Sequence, residues 1–67
     1  MIVLNGERSD VRPGETVAEV LARLGVDVRA RGVAVAVDGE VIPRGGWGSY
    51  ALREGASVEV LTAMQGG

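Results

Sequence analysis

The sequence predicts an α+β fold: a mixed five-stranded sheet packed against one helix, followed by a flexible C-terminal tail. Three observations point there. Two hairpin signals, Asn5-Gly6 and Asp38-Gly39, each lie beside runs of branched apolar residues. A short apolar-faced helix with caps at both ends falls between them, and a last alternating segment runs toward Gly66-Gly67. At 67 residues there is length for one small domain. A chain of this size buries only about 60% of the surface its unfolded form exposes, which leaves little room for an enclosed catalytic pocket.

Ile2 to Leu4 is a short apolar run that reads as a first strand, and Asn5-Gly6 supplies the two positive-φ positions of a tight hairpin turn. A second strand is expected around Ser9 to Arg12, stopped by Pro13-Gly14. Its polar composition, with Glu7, Arg8 and Asp10, suits an exposed sheet edge. Thr16 then opens a helix. It stands three residues before Glu19, the capping-box spacing in which each side chain satisfies the other's orphan amide. Val17, Val20, Leu21 and Leu24 fall on one apolar face, and Gly25 is placed to end the helix in the left-handed region with Val26 folding back.

Val33 to Val37 reads as a third strand, Asp38-Gly39 as its turn, and Val41-Ile42 as the start of the return, ended by Pro43. Arg44 to Leu52 is a glycine-broken loop carrying both aromatics, Trp47 and Tyr50. Glu54-Gly55 turns the chain into a final strand from Val58 to about Ala63, with Val58 and Val60 facing inward and Glu59 outward. The domain therefore spans residues 1–63 and the tail 64–67. The order is hairpin, helix, hairpin, loop, strand. A right-handed crossover carrying the helix joins the first hairpin to the rest of the sheet. The simplest packing lays the helix across one face of the sheet, with the first and last strands as parallel neighbours. This is the β-grasp arrangement, the ubiquitin-like roll.

Composition excludes several function classes. Hydrophobic residues make up 46% and the net charge is only −2, so disorder is not expected. With one Trp, one Tyr and no Phe, aliphatic residues must fill the core. No cysteine or histidine is present, which removes thiol nucleophiles, thiolate metal sites and the usual general base. No basic run offers a footprint for nucleic acid. No apolar stretch approaches the roughly 20 residues of a membrane span. The first residues lack the features of a signal peptide, so a cytoplasmic protein is expected.

Gly66-Gly67 is the segment that points to chemistry. Without β-carbons, two glycines can thread a slot too narrow for any side chain and present a bare carboxylate. Two small residues at a frayed terminus are the plain alternative.

The chain resembles the ThiS family, the small sulfur carriers of thiamine biosynthesis, over essentially all of its length. The resemblance rests on Gly66-Gly67, the total length, and the helix from Thr16 to Leu24. More specific are Val41-Ile42-Pro43-Arg44 followed by Trp47, and the strand-and-turn segment Ala34 to Glu40. Gly45-Gly46 and Gly48 surround the Trp where that family more often carries charged or small polar residues.

The resemblance implies a carrier acted on by other enzymes, with no catalytic residue and no bound cofactor or metal. An E1-like adenylyltransferase would use ATP to activate the Gly67 carboxylate. Sulfur delivered by a cysteine desulfurase or sulfurtransferase would then replace AMP, and a thiazole synthase would take that sulfur from the C-terminal thiocarboxylate. Gly66, Gln65 and Met64 would give Gly67 access to the partners' sites. The four residues from Met64 to Gly67 span about 13 Å when extended.

Other carrier pathways remain open at this point: molybdopterin, cysteine or tRNA thiolation. So do a ubiquitin-like modifier and a plain interaction domain.

Several residues carry two readings. Trp47 is either an anchor packed over the end of the core or an exposed partner contact. Arg44 is either a surface charge or a contact to the partner. The acidic residues Glu7, Asp10, Glu15, Glu19, Glu54 and Glu59 serve solubility or steer docking to a basic surface. All seven Lys/Arg positions are arginine. That fits a high-GC genome, and it also fits a chain whose own terminus becomes an activated acyl group.

Overall fold

The computed structural model describes residues 1–62. Strands β1 (Ile2–Leu4), β2 (Glu7–Ser9), β3 (Val33–Val37), β4 (Glu40–Val41) and β5 (Ser57–Thr62) form one mixed sheet in the order β2-β1-β5-β3-β4. The single α-helix, α1, spans Val17–Arg23. β1 and β5 run parallel, and every other neighbouring pair is antiparallel. This is the β-grasp fold. Alternation along the strands sends Ile2, Val35, Val37, Val58 and Val60 toward the helix, and all five are buried.

Both hairpins turn as their sequences require. Asn5 and Gly6 have φ of 50° and 84°, and Asp38 and Gly39 have 52° and 84°. These are the paired positive values of a type I′ turn, which Asn and Asp adopt at low cost before glycine. The first hairpin corrects one expectation. β2 lies at Glu7–Ser9 instead of Ser9 to Arg12, because a two-residue turn places Glu7 directly opposite Leu4. Pairing then ends where β1 runs out, with Ile2 opposite Ser9. Beyond it, Val11 leaves the edge and packs against the core.

Helix α1 is short, so its stability must come from its ends and its packing. The capping box at Thr16 and Glu19 is fully formed. The next orphan donors find carbonyls in the loop after β4: Val17 N donates to Tyr50 O and Ala18 N to Trp47 O. At the other end Gly25 takes φ of 80°, while Gly25 N donates to Ala22 O and Val26 N to Leu21 O, a Schellman closure. Val17, Val20 and Leu21 are buried as expected, but Leu24 is not. As the C-cap residue it lies at 46% exposure, and Val26 and Val28 pack against the core beyond it.

The glycine-broken loop is tightly built. Arg44–Gly46 form a 3₁₀ turn, and Trp47 behind it is buried. Leu52 N donates to Glu15 O, and Thr16 bridges to Ala51, so the loop closes over the start of the helix. The glycines around Trp47 therefore do not leave it loose. Among the described residues no helix is long and apolar enough to cross a membrane.

Candidate functional site at the end of the last strand

The segment expected to carry the chemistry follows β5, so the geometry that matters is how β5 is held. Its first half is a central strand. Ser57 and Val58 pair with Val3 and Leu4 of β1 on one side and with β3 on the other. Asp38, in the second hairpin turn, adds to this end. Ser57 N donates to its Oδ1 at 2.9 Å, and Asp38 N donates to Ser57 O at 2.7 Å.

The second half of β5 is held differently. β3 continues beside it as far as the pair Val33 and Thr62, but β1 has already turned away. Asn5 takes over from β1. Its backbone N donates to Val58 O at 2.8 Å. Its side-chain amide then acts as one further strand residue: Val60 N donates to Asn5 Oδ1 at 2.8 Å, and Asn5 Nδ2 donates to Val60 O at 3.2 Å. β5 thus extends to Thr62, the last described residue.

The sheet face turned away from the helix is uncovered. Leu61 is 68% exposed and Val41 71% exposed, with Ala34 opposite Leu61 and Ala36 opposite both Glu59 and Val41. Cross-strand partners share a face, so these residues form one apolar patch beside the end of β5, edged by the Glu59 carboxylate.

Trp47 and Arg44 belong to neither feature. The indole is buried, and its Nε1 donates to Ile42 O at 2.9 Å, so Trp47 is the core anchor and presents no face to a partner. Arg44 is exposed and lies with its guanidinium carbon 4.6 Å from the Trp47 ring centroid. Its two terminal nitrogens donate to the carbonyls of Val28 and Ala30. Arg44 therefore ties the segment after α1 to the Trp47 loop.

The acidic residues are equally divided in use. Glu15 is buried and accepts from Arg12 N at 3.0 Å and from Arg23 Nε and Nη2 at 3.1 and 3.0 Å. The Arg12 backbone N–H and the Arg23 guanidinium hold its carboxyl below the usual carboxylate range, against the opposing effect of burial. Glu19 serves the helix cap, and Glu54 pairs with the Met1 amino group. Glu7, Asp10 and Glu59 remain on the exposed surface.

Met64, Gln65, Gly66 and Gly67, the residues expected to enter a partner's site, lie outside the described residues. The Asn5 contacts and the exposure of Leu61 and Val41 lie beyond the sequence reading. Asn5 read as a turn residue only, and no local pattern announces that its amide meets a residue 55 positions away. The β5 alternation did carry a signal for Leu61, since a strand that turns Val58 and Val60 inward must turn Leu61 outward.

The ThiS family model matches residues 2–67. The chain belongs to the ThiS family. It is 40% identical over 67 residues to the sulfur carrier protein ThiS of Thermus thermophilus, covering all of both chains. It is 33% identical over 66 residues to a thiazole synthase of Paramagnetospirillum magneticum. That match covers 98% of this chain but only about a fifth of the synthase, 20%. Among solved structures, the crystal structure of a ThiS protein from Geobacter metallireducens superposes with a TM-score of 0.79 at 34% identity. It covers 98% of this chain and 97% of that one. In this chain the uncovered apolar patch and the end of β5 lie together on one side of the roll.

Proposed function

We propose that this chain is a sulfur carrier for thiazole formation in thiamine biosynthesis, with the sulfur borne on the Gly67 carboxyl group. One observation carries the reading: the ThiS match spans residues 2–67 and takes in Gly66-Gly67. The chain is a carrier on which other enzymes act, and a cytoplasmic location fits that role.

A carboxylate is a poor electrophile, so the sequence of events begins with activation. An E1-like adenylyltransferase joins the Gly67 carboxylate to the α-phosphate of ATP and releases pyrophosphate. A sulfur nucleophile, supplied by a cysteine desulfurase or sulfurtransferase, attacks the carbonyl carbon. The bond to AMP breaks as the carbon–sulfur bond forms. Gly67 has no side chain to hinder that approach, and Gly66 lets the segment pass a narrow entrance. Where the nucleophile is an enzyme persulfide, the acyl disulfide so formed is cleaved by a thiol, which is oxidised to a disulfide and leaves the thiocarboxylate. This then gives its sulfur to a thiazole synthase. That this chain matches a region inside a thiazole synthase polypeptide supports such a pairing.

The five residues from Ala63 to Gly67 reach at most about 18 Å. A partner that takes Gly67 into its site must therefore come against the end of β5, and the Leu61 and Val41 patch lies beside that point. We assign this face to the adenylyltransferase, through an apolar surface with basic groups opposite Glu59.

The test is ATP-dependent pyrophosphate release in the presence of the adenylyltransferase, compared with a chain lacking Gly67. The full chain is expected to stimulate release and the shortened one to abolish it while remaining folded. Release unaffected by the loss of Gly67 would remove the site assignment, and covalent adducts of the chain on lysines of other proteins would point to a modifier instead.

A further inference from the structure

We propose that Asn5 is a positioning residue for the carrier reaction: its side-chain amide holds the distal half of β5 in line and so fixes where the chain leaves the sheet at Thr62. The inference rests on the carrier reading above.

Three features of the geometry support it. First, β1 and β5 pair only at Val3 with Ser57 and at Leu4 with Val58, so β1 contributes no strand pairing beyond Val58. Second, the Asn5 amide meets both backbone groups of Val60, one donor to one acceptor and one acceptor to one donor. Third, the turn alone does not demand this side chain. A type I′ turn accepts Asn, Asp or Gly at its first central position, and the second hairpin uses Asp38 there.

The choice between the two turns follows what β5 offers each of them. At Ser57 the backbone N of Asp38 already donates to the carbonyl, so the side chain need only accept, and a carboxylate suffices. At Val60 the side chain must both donate and accept, which a carboxylate cannot do and an amide can. An aspartate at position 5 would also set a charged oxygen against the Val60 carbonyl.

Without the amide, residues 59–62 would be held by β3 alone, and their fraying would loosen the strand end from which the tail departs. The Asn5 amide is engaged with Val60 and is no part of the Leu61 and Val41 patch. The cost of ordering the strand end therefore falls on the step that delivers the carbonyl, where orientation governs rate.

The test uses the full chain as wild type, Asn5→Gly, Asn5→Asp and Asp38→Gly. Glycine and aspartate both tolerate the positive φ, so the hairpins stay formed. Adenylation is followed by pyrophosphate release with ATP and the adenylyltransferase, varying the carrier concentration well below every variant's Tm. Asn5→Gly is expected to lower kcat roughly threefold to tenfold, the worth of one or two part-buried hydrogen bonds, with KM unchanged. Asn5→Asp keeps the acceptor for Val60 N but sets a charged oxygen against Val60 O, so its kcat should also fall below wild type. Asp38→Gly removes a comparable contact at the far end of β5 and should leave both constants at wild-type values.

Wild-type turnover by Asn5→Gly, or an equal loss of kcat in Asp38→Gly, overturns the proposal while leaving the carrier reading intact. A wild-type chain that releases no pyrophosphate overturns the carrier reading, and this proposal with it.

Discussion

The two ends of strand β5 are built to different rules. Its start lies between β1 and β3, is fastened by Asp38, and leads out of the loop that seals the helix. Its end has β3 on one side and, on the other, a single asparagine amide and an uncovered apolar face. The start belongs to the part of the molecule that makes it fold, and the end to the part proposed above to meet other proteins. Substitutions in the first should change stability and leave the kinetics of folded protein alone. Substitutions in the second should do the reverse.

The largest effect is expected at Trp47. The indole is buried and donates to Ile42 O, while the backbone carbonyl of Trp47 accepts from Ala18 N at the helix start. Trp47→Ala should cost about 3–5 kcal/mol in urea denaturation, which for a domain this small approaches its whole stability. A folded Trp47→Ala chain with normal stability would break the comparison on its packed side.

Next comes Glu15. Glu15→Gln gives up charge-assisted bonds to Arg12 N and to Arg23, and should cost about 1–3 kcal/mol near neutral pH. Because the folded-state pKa is lowered below the ordinary carboxylate range, the unfolded chain takes up the proton first as pH falls. The stabilisation from this group is therefore complete above the ordinary carboxylate range and is lost as pH drops through the lowered folded value. Denaturation of wild type and Glu15→Gln should converge in acid. A gap that persists there would mean the pairing is not what Glu15 contributes.

Leu61 tests the other side of the comparison. Leu61→Asp should leave Tm near wild type, since the side chain is 68% exposed. It should raise KM for adenylation about tenfold, the scale of an interface residue worth 1–2 kcal/mol. A large loss of stability with unchanged KM would move Leu61 to the packed side. The smallest of these effects is at the helix cap. Thr16→Ala should cost about 1 kcal/mol through loss of the bond from Glu19 N, with kcat and KM unaltered.

What could be read in the sequence follows from how local each cause is. Asn5-Gly6, Asp38-Gly39, the Thr16 to Glu19 box and the Gly25 stop are decided within a few residues, and all four form as read. The inward facing of Val58 and Val60 follows from strand alternation alone. Leu24 satisfied the helical spacing but sits at the C-cap, where the chain bends and Val26 and Val28 follow onto the core. The register of β2 depended on how soon pairing begins after the turn, which composition does not show. Glu15 with Arg23, Arg44 with Val28 and Ala30, and Asn5 with Val60 join distant parts of the chain. No spacing rule links them. The Trp47 anchor was one of two readings, and burial decides it.

The central claim is that Gly67 is the chemical handle of this fold. Intact mass spectrometry of the chain, after incubation with the adenylyltransferase, ATP and a sulfur donor, tests it most directly. The account predicts a gain equal to the difference between a sulfur and an oxygen atom, located in the C-terminal peptide at Gly67. An unchanged mass with a competent enzyme and donor, or sulfur found elsewhere in the chain, would contradict it.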